Sequence, residues 1–188
     1  MATPERKPNP LFLTLIAAGL FLIGAALLPL LLEARQAALA PAGNARIPSA
    51  SSYPAPQLVL TDLQGDPADL ADTRGQLVLV NNWATWCPPC KAEMPALQAY
   101  YERHRGEGLV IVAIESGSSP GQVAEFAASY GLTFTVWIDP AGAALDAFRN
   151  WNLPSTYVID RSGTVILSWT GEINLASLEQ YVTPLLDR

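Results

Sequence analysis

Apolar residues gather along this chain in two different ways. Residues 11–32 read LFLTLIAAGLFLIGAALLPLLL, an uncharged run of 22. As a helix this run spans about 33 Å, enough to cross the hydrocarbon core of a bilayer. Arg6 and Lys7 precede it, while Glu33 and Arg35 behind it nearly cancel. The pattern predicts one transmembrane anchor, with residues 1–10 in the cytoplasm and the rest on the far side. A cleaved signal peptide is the alternative, since Ala38-Leu39-Ala40 has the spacing of a cleavage site. The apolar core of such a peptide usually runs about 7 to 15 residues, so the length favours the anchor.

Residues 33–53 are rich in Ala, Pro and Ser and follow neither the helical nor the strand period. They predict a flexible linker. From residue 54 onward the apolar runs are short and punctuated by turn residues. They predict a strand at 57–62 with a turn at 63–66, and a strand at 77–83. A helix at 91–105 follows, then a strand at 109–114 whose continuous apolar character suits burial on both faces. Val123, Phe126, Ala127 and Tyr130 share one side of a helix at 122–130, which Gly131 ends. A strand at 134–138, a short helix at 141–149, a hairpin of 155–160 with 164–169, and a closing helix at 175–186 complete the order. Residues 54–188 therefore read as one α/β domain.

Charge narrows the function. The whole chain of 188 residues carries a net charge of −6. From residue 54 onward seven basic residues face fifteen acidic ones, a net charge of −8. That balance excludes nucleic acid as a partner, and also electrostatic adhesion to anionic lipid.

The chemistry lies in Trp83-Ala84-Thr85-Trp86-Cys87-Pro88-Pro89-Cys90-Lys91-Ala92-Glu93, which holds the only two cysteines. A strand, a tight turn and a helix place Cys87 in the first helical turn, where free N–H groups and the macrodipole favour negative charge. The thiolate is the nucleophile of disulfide exchange. At a pKa near 8.5 about 3% of a thiol is ionised at pH 7, and at about 7 roughly half is. That shift needs only about 2 kcal/mol. Pro88-Pro89 favours a fixed turn holding the sulfurs together, and the site reads as a redox dithiol. A structural disulfide closing four residues gains little loop entropy. A copper or zinc site would draw on these thiolates with Met94 or the single His104, a thin ligand set. A peroxidase would need a lone cysteine in a Pro/Thr-rich pocket.

Four stretches carry a family resemblance. They are Asp62-Leu63-Gln64-Gly65 with Arg74-Gly75; Val80-Asn81 through Cys90-Lys91-Ala92-Glu93-Met94-Pro95; Tyr130-Gly131-Leu132-Thr133-Phe134 with Asp139-Pro140; and Asn152-Leu153-Pro154-Ser155-Thr156-Tyr157-Val158-Ile159-Asp160. Together they resemble the membrane-anchored TlpA/ResA-like branch of thioredoxin-fold proteins, which includes the cytochrome c maturation reductases. The resemblance implies a thioredoxin-like fold: a central mixed sheet flanked by helices, with an N-terminal β-hairpin extension, preceded by one transmembrane helix. It implies an extracytoplasmic thiol:disulfide oxidoreductase that exchanges its dithiol with protein disulfides and is recharged by a membrane electron-donor thiol protein. No cofactor beyond the Cys87–Cys90 disulfide, and no metal, is implied.

Residue by residue, Cys87 matches the attacking cysteine and Cys90 the resolving one. Glu93 matches an acid that exchanges a proton with the buried thiol. Pro154 matches a cis-proline facing the disulfide, and Trp86, Pro88, Pro89 and Leu153 frame the docking surface with it. Asn81 stands where ordinary thioredoxins carry a buried Asp. Asn82 stands where the branch usually has an aromatic residue, so either the strand ends early or its amide finds partners near the site. Pro95 is expected to kink the helix, and Glu115 to be a solvated acid at a loop mouth.

Overall fold

The computed structural model describes residues 47–187. The expected cytoplasmic segment 1–10, the anchor 11–32 and most of the linker lie outside those residues. Among the described residues no helix is long and apolar enough to cross a membrane.

In chain order the strands are β1 (Ser49–Pro54), β2 (Val59–Asp62), β3 (Pro67–Asp69), β4 (Leu77–Trp83), β5 (Leu109–Ser116), β6 (Thr135–Asp139), β7 (Ser155–Ile159) and β8 (Thr164–Thr170). The helices are α1 (Pro88–His104), α2 (Pro120–Ser129), α3 (Ala143–Ala147) and α4 (Leu175–Tyr181). One eight-stranded mixed sheet takes the order β1-β8-β7-β4-β5-β6-β2-β3. β4, β5 and β6 run parallel at its centre, and β7 and β8 form the expected antiparallel hairpin beside β4. The hairpin β2–β3 adds to the far side through β6. Its turn is closed by the Asp62 carboxylate, which accepts from the N–H groups of Gln64 and Asp66.

All seven residues of β4 are buried, because its alternating side chains serve two cores. Leu77, Leu79 and Trp83 pack with Met94, Leu97 and Tyr100 of α1 and Leu178 of α4. Val78 and Val80 face the other way, among Ile114, Trp137, Phe148 and Tyr157. With no solvent face, the first four residues of β4 form the continuous apolar run by which it is visible in the sequence, and Asn81 and Asn82 are buried with them.

Four expectations need correction. The linker does not reach residue 53, since Ser49–Pro54 pairs antiparallel with β8 as an edge strand. Nearly all its residues are exposed, so burial imposes no alternation on SASSYP and the strand is silent in the sequence. Helix α1 starts at Pro88 rather than residue 91. Pro88 and Pro89 occupy the first turn, where a missing N–H costs nothing, although prolines read as turn signals. It continues through Pro95 to His104. The short helix spans only Ala143–Ala147, and the chain leaves it through Arg149 in the left-handed region at φ 53°. The closing helix ends at Tyr181 and gives way to a 3₁₀ turn at Thr183–Leu185, where Pro184 cannot donate to an α-helix.

Candidate active site

Cys87 caps α1. Its backbone is extended at φ −91°, ψ 110°, and its Sγ accepts the Cys90 N–H at 3.3 Å. The turn before it is closed by Cys87 N–H donating to Ala84 O at 3.1 Å. Cys87 and Cys90 are joined as a disulfide. Both cysteines are buried, Cys90 completely and Cys87 to 4% exposure, but they differ in position: Cys87 is the N-cap and is flanked by the exposed Trp86, Pro88 and Pro89, whereas Cys90 lies one turn inside the helix. Trp86 is 67% exposed, so its indole forms an apolar rim rather than a core contact.

One turn beyond Cys90, Glu93 is wholly buried. Its Oε1 accepts from Asn81 Nδ2 at 2.8 Å and its Oε2 from the Ile173 N–H at 3.0 Å. Burial pushes its carboxyl pKa up to about 8; the two hydrogen bonds oppose the shift and the nearby Glu172 charge adds to it. Asn81 Nδ2 also donates to Thr156 Oγ1 at 3.0 Å. One amide thus links β4, α1 and the strand that follows the Leu153–Pro154 peptide. That peptide is cis, with Pro154 buried and Leu153 half-buried. Pro154 O accepts from the Gly171 N–H at 2.7 Å, tying this loop to the end of β8.

Asn82 fits neither expectation. β4 runs on through Trp83, with Asn82 in register between Ile114 and Ser155. Its position in the alternation turns it to the face opposite Glu93. There Nδ2 and Oδ1 are buried, and neither has a partner among the described residues. A buried amide of this kind costs about 1–3 kcal/mol. Asn82→Leu, of the same branched shape though larger, is expected to raise stability by about 1 kcal/mol net of the cost of fitting the added volume and to leave Cys87 reactivity unchanged. Urea unfolding at pH 7 measures the first and thiol alkylation the second.

Glu115 is also a correction. It is fully buried rather than solvated, at the end of β5. Thr85 N–H donates to its Oε1 at 3.0 Å, and Ser118 N–H to its Oε2 at 3.0 Å. Ser118 Oγ donates to Oε1 at 2.6 Å. An acid ending a wholly apolar strand run and followed by Ser-Gly-Ser is the one signal that marked it.

The metal-carrier ligands do not come together. Among the described residues no group of three or more His, Cys, Asp or Glu is placed to hold a metal ion. His104 lies fourteen residues beyond Cys90 in the same helix, about 21 Å along the axis. Its ring nitrogens face Glu107 and Glu179 at 2.9 and 3.3 Å. Met94 is buried in the core.

Comparison with known proteins agrees with this geometry. The AhpC/TSA family profile matches residues 52–168. The thiol-disulfide oxidoreductase ResA of Geobacillus kaustophilus (strain HTA426) is 38% identical over 128 residues, covering 68% of this chain and 74% of that protein. ResA of Bacillus subtilis (strain 168) is 37% identical over 128 residues, covering 68% and 72%. Among solved structures, a putative thiol:disulfide interchange protein DsbE from Chlorobium tepidum superposes with a TM-score of 0.67 at 28% identity, over 72% of this chain and 97% of that one. A family profile over more than half the chain and relatives above one-third identity, on a shared thioredoxin-like fold, place the chain in the AhpC/TSA family, among its ResA-like thiol-disulfide oxidoreductases.

Proposed function

We propose that this oxidoreductase works outside the cytoplasm as a reductant of protein disulfides, held at the membrane by residues 11–32. The uncharged run and its flanking charges support the location. The likeness to the branch containing cytochrome c maturation reductases supports the direction, with a membrane thiol protein as electron donor. No organic cofactor enters the cycle.

The reduced Cys87 thiolate attacks one sulfur of the partner disulfide; that bond breaks, and the leaving thiolate takes a proton from water. Cys90 then gives its proton to Glu93 and attacks Cys87 Sγ. The mixed disulfide breaks, the partner leaves with both sulfurs reduced, and two electrons have passed from this dithiol. Recharging reverses the steps. The donor thiolate opens the Cys87–Cys90 bond and Glu93 returns its proton to Cys90.

The observation that carries this assignment is the asymmetry of the pair. Cys87 caps the helix beside an exposed rim, whereas Cys90 is enclosed with a buried carboxyl one turn on. Cys90→Ser is expected to accumulate the partner as a covalent adduct on Cys87, visible by mass spectrometry as one partner per domain and released by dithiothreitol. Free partner with unmodified Cys87 after reaction would contradict the assignment.

A further inference from the structure

The loop after β5 forms a cradle for the loop that carries the dithiol. Glu115 accepts the Thr85 N–H two residues before Cys87, and both its oxygens are fully engaged by Thr85 and Ser118. Thr85 Oγ1 and Ser118 Oγ lie 2.7 Å apart, adding a side-chain bond between the same two loops. Gly117 stands between, at φ 96°, a conformation that favours glycine. A Cβ there would lie 3.9 Å from Trp86 Nε1, so one edge of the indole passes beside this residue. The cradle is itself fixed: Gly117 N–H donates to Asp139 O at 3.3 Å, and the Asp139 carboxylate accepts from Ala143 and Ala144 of α3 at 2.9 and 2.8 Å.

We propose that Glu115 is a positioning residue of the redox site: by gripping Thr85 it fixes Trp86 and Cys87 so that the sulfur stays over the first turn of α1. The inference rests on Cys87 being the attacking thiol. Sγ is held where the Cys90 N–H points at it, and a thiolate there is stabilised by the free N–H groups of the helix. A loop released from Glu115 lets Sγ drift from those donors, and the fraction ionised at neutral pH falls. Charge alone predicts the reverse. Removing a buried negative group near a thiol eases its ionisation, so the direction of the effect separates positioning from electrostatics.

The test is the pH dependence of iodoacetamide alkylation of the reduced domain, comparing wild type with Glu115→Gln and Ser118→Ala. Glutamine turns an N–H₂ toward the Ser118 or Thr85 N–H, so at least one grip is lost. Glu115→Gln is expected to slow Cys87 alkylation at pH 7 about tenfold and to move its midpoint up by about one pH unit. Ser118→Ala keeps the Thr85 N–H bond, loses both hydroxyl bonds, and should slow alkylation about two- to threefold in the same sense. A lowered unfolding temperature with rate and midpoint unchanged overturns the proposal and leaves Glu115 a structural acid. A midpoint that moves down overturns it too. If Glu115→Gln does not fold, Ser118→Ala decides alone, and a wild-type rate there is a refutation. Peptide mapping keeps the two readings apart: alkyl groups on Cys90 in the wild type would sink the attacking role of Cys87, not the grip on Thr85.

Discussion

Cys87→Ser is expected to lower reduction of insulin by dithiothreitol through this domain by at least roughly 10³-fold. A serine hydroxyl is not ionised at neutral pH and does not open a sulfur–sulfur bond. Cys90 offers no substitute: it is fully buried, and the chain has no third cysteine. The loss is chemical rather than structural. Serine is a favoured helix N-cap, so its Oγ takes over the Cys90 N–H that Sγ accepts now. The disulfide that disappears closes only four residues, for which loop entropy gives about 2 kcal/mol or less. Circular dichroism and the urea midpoint should therefore report a folded domain without activity. Retention of even a tenth of wild-type turnover would remove Cys87 from the mechanism.

The sequence exposes features whose physical cause is local or periodic, and hides those that depend on distant partners. β4 and β5 are legible because burial on both faces makes residues 77–80 and 109–114 unbroken apolar runs, and a dithiol at the strand–helix junction needs only its own neighbours. The hairpin β7–β8 is legible from its Asp160-Arg161-Ser162-Gly163 turn, where the Asp160 carboxylate accepts from Ser162 and Thr164. β1 is illegible because an exposed edge strand owes its conformation to β8, more than a hundred residues away. Glu115 misleads for a similar reason. A glutamate reads as solvated unless its donors are known, and Thr85 lies thirty residues upstream. Asn82 is a third kind of failure: burial forces its amide inside, and nothing local says that the opposite face of the sheet offers it no partner. Asn81 is the productive counterpart. Its place in the alternation puts it under α1, where Glu93 and Thr156 share its amide.

Glu93 gives the second large effect, and pH is the variable that separates its roles. Its carboxyl is pushed from an ordinary 4.5 up to about 8, chiefly by burial. Between those values the folded chain keeps a proton that the unfolded chain has released, so stability falls as pH rises through the window. The contribution is fully present below about 4.5 and gone above about 8. A shift of this size corresponds to roughly 4–5 kcal/mol. Glu93→Gln removes this dependence because an amide does not titrate. One of the Asn81 and Ile173 donors then faces an N–H₂, a cost of about 1–3 kcal/mol. The variant should be less stable than wild type at pH 5 and more stable at pH 8.5, the two urea-unfolding curves crossing between. The chemical role appears in a different measurement. If Glu93 takes the Cys90 proton, the first attack by Cys87 proceeds at its normal rate in Glu93→Gln, while closure of the Cys87–Cys90 bond slows about 10²-fold. Quenched-flow trapping should then show the mixed disulfide building up at pH 7 and growing shorter-lived as the pH is raised, since hydroxide then takes the Cys90 proton in place of Glu93. Flattened stability with resolution at the wild-type rate would leave Glu93 a buried acid that couples folding to pH and moves no proton in the exchange.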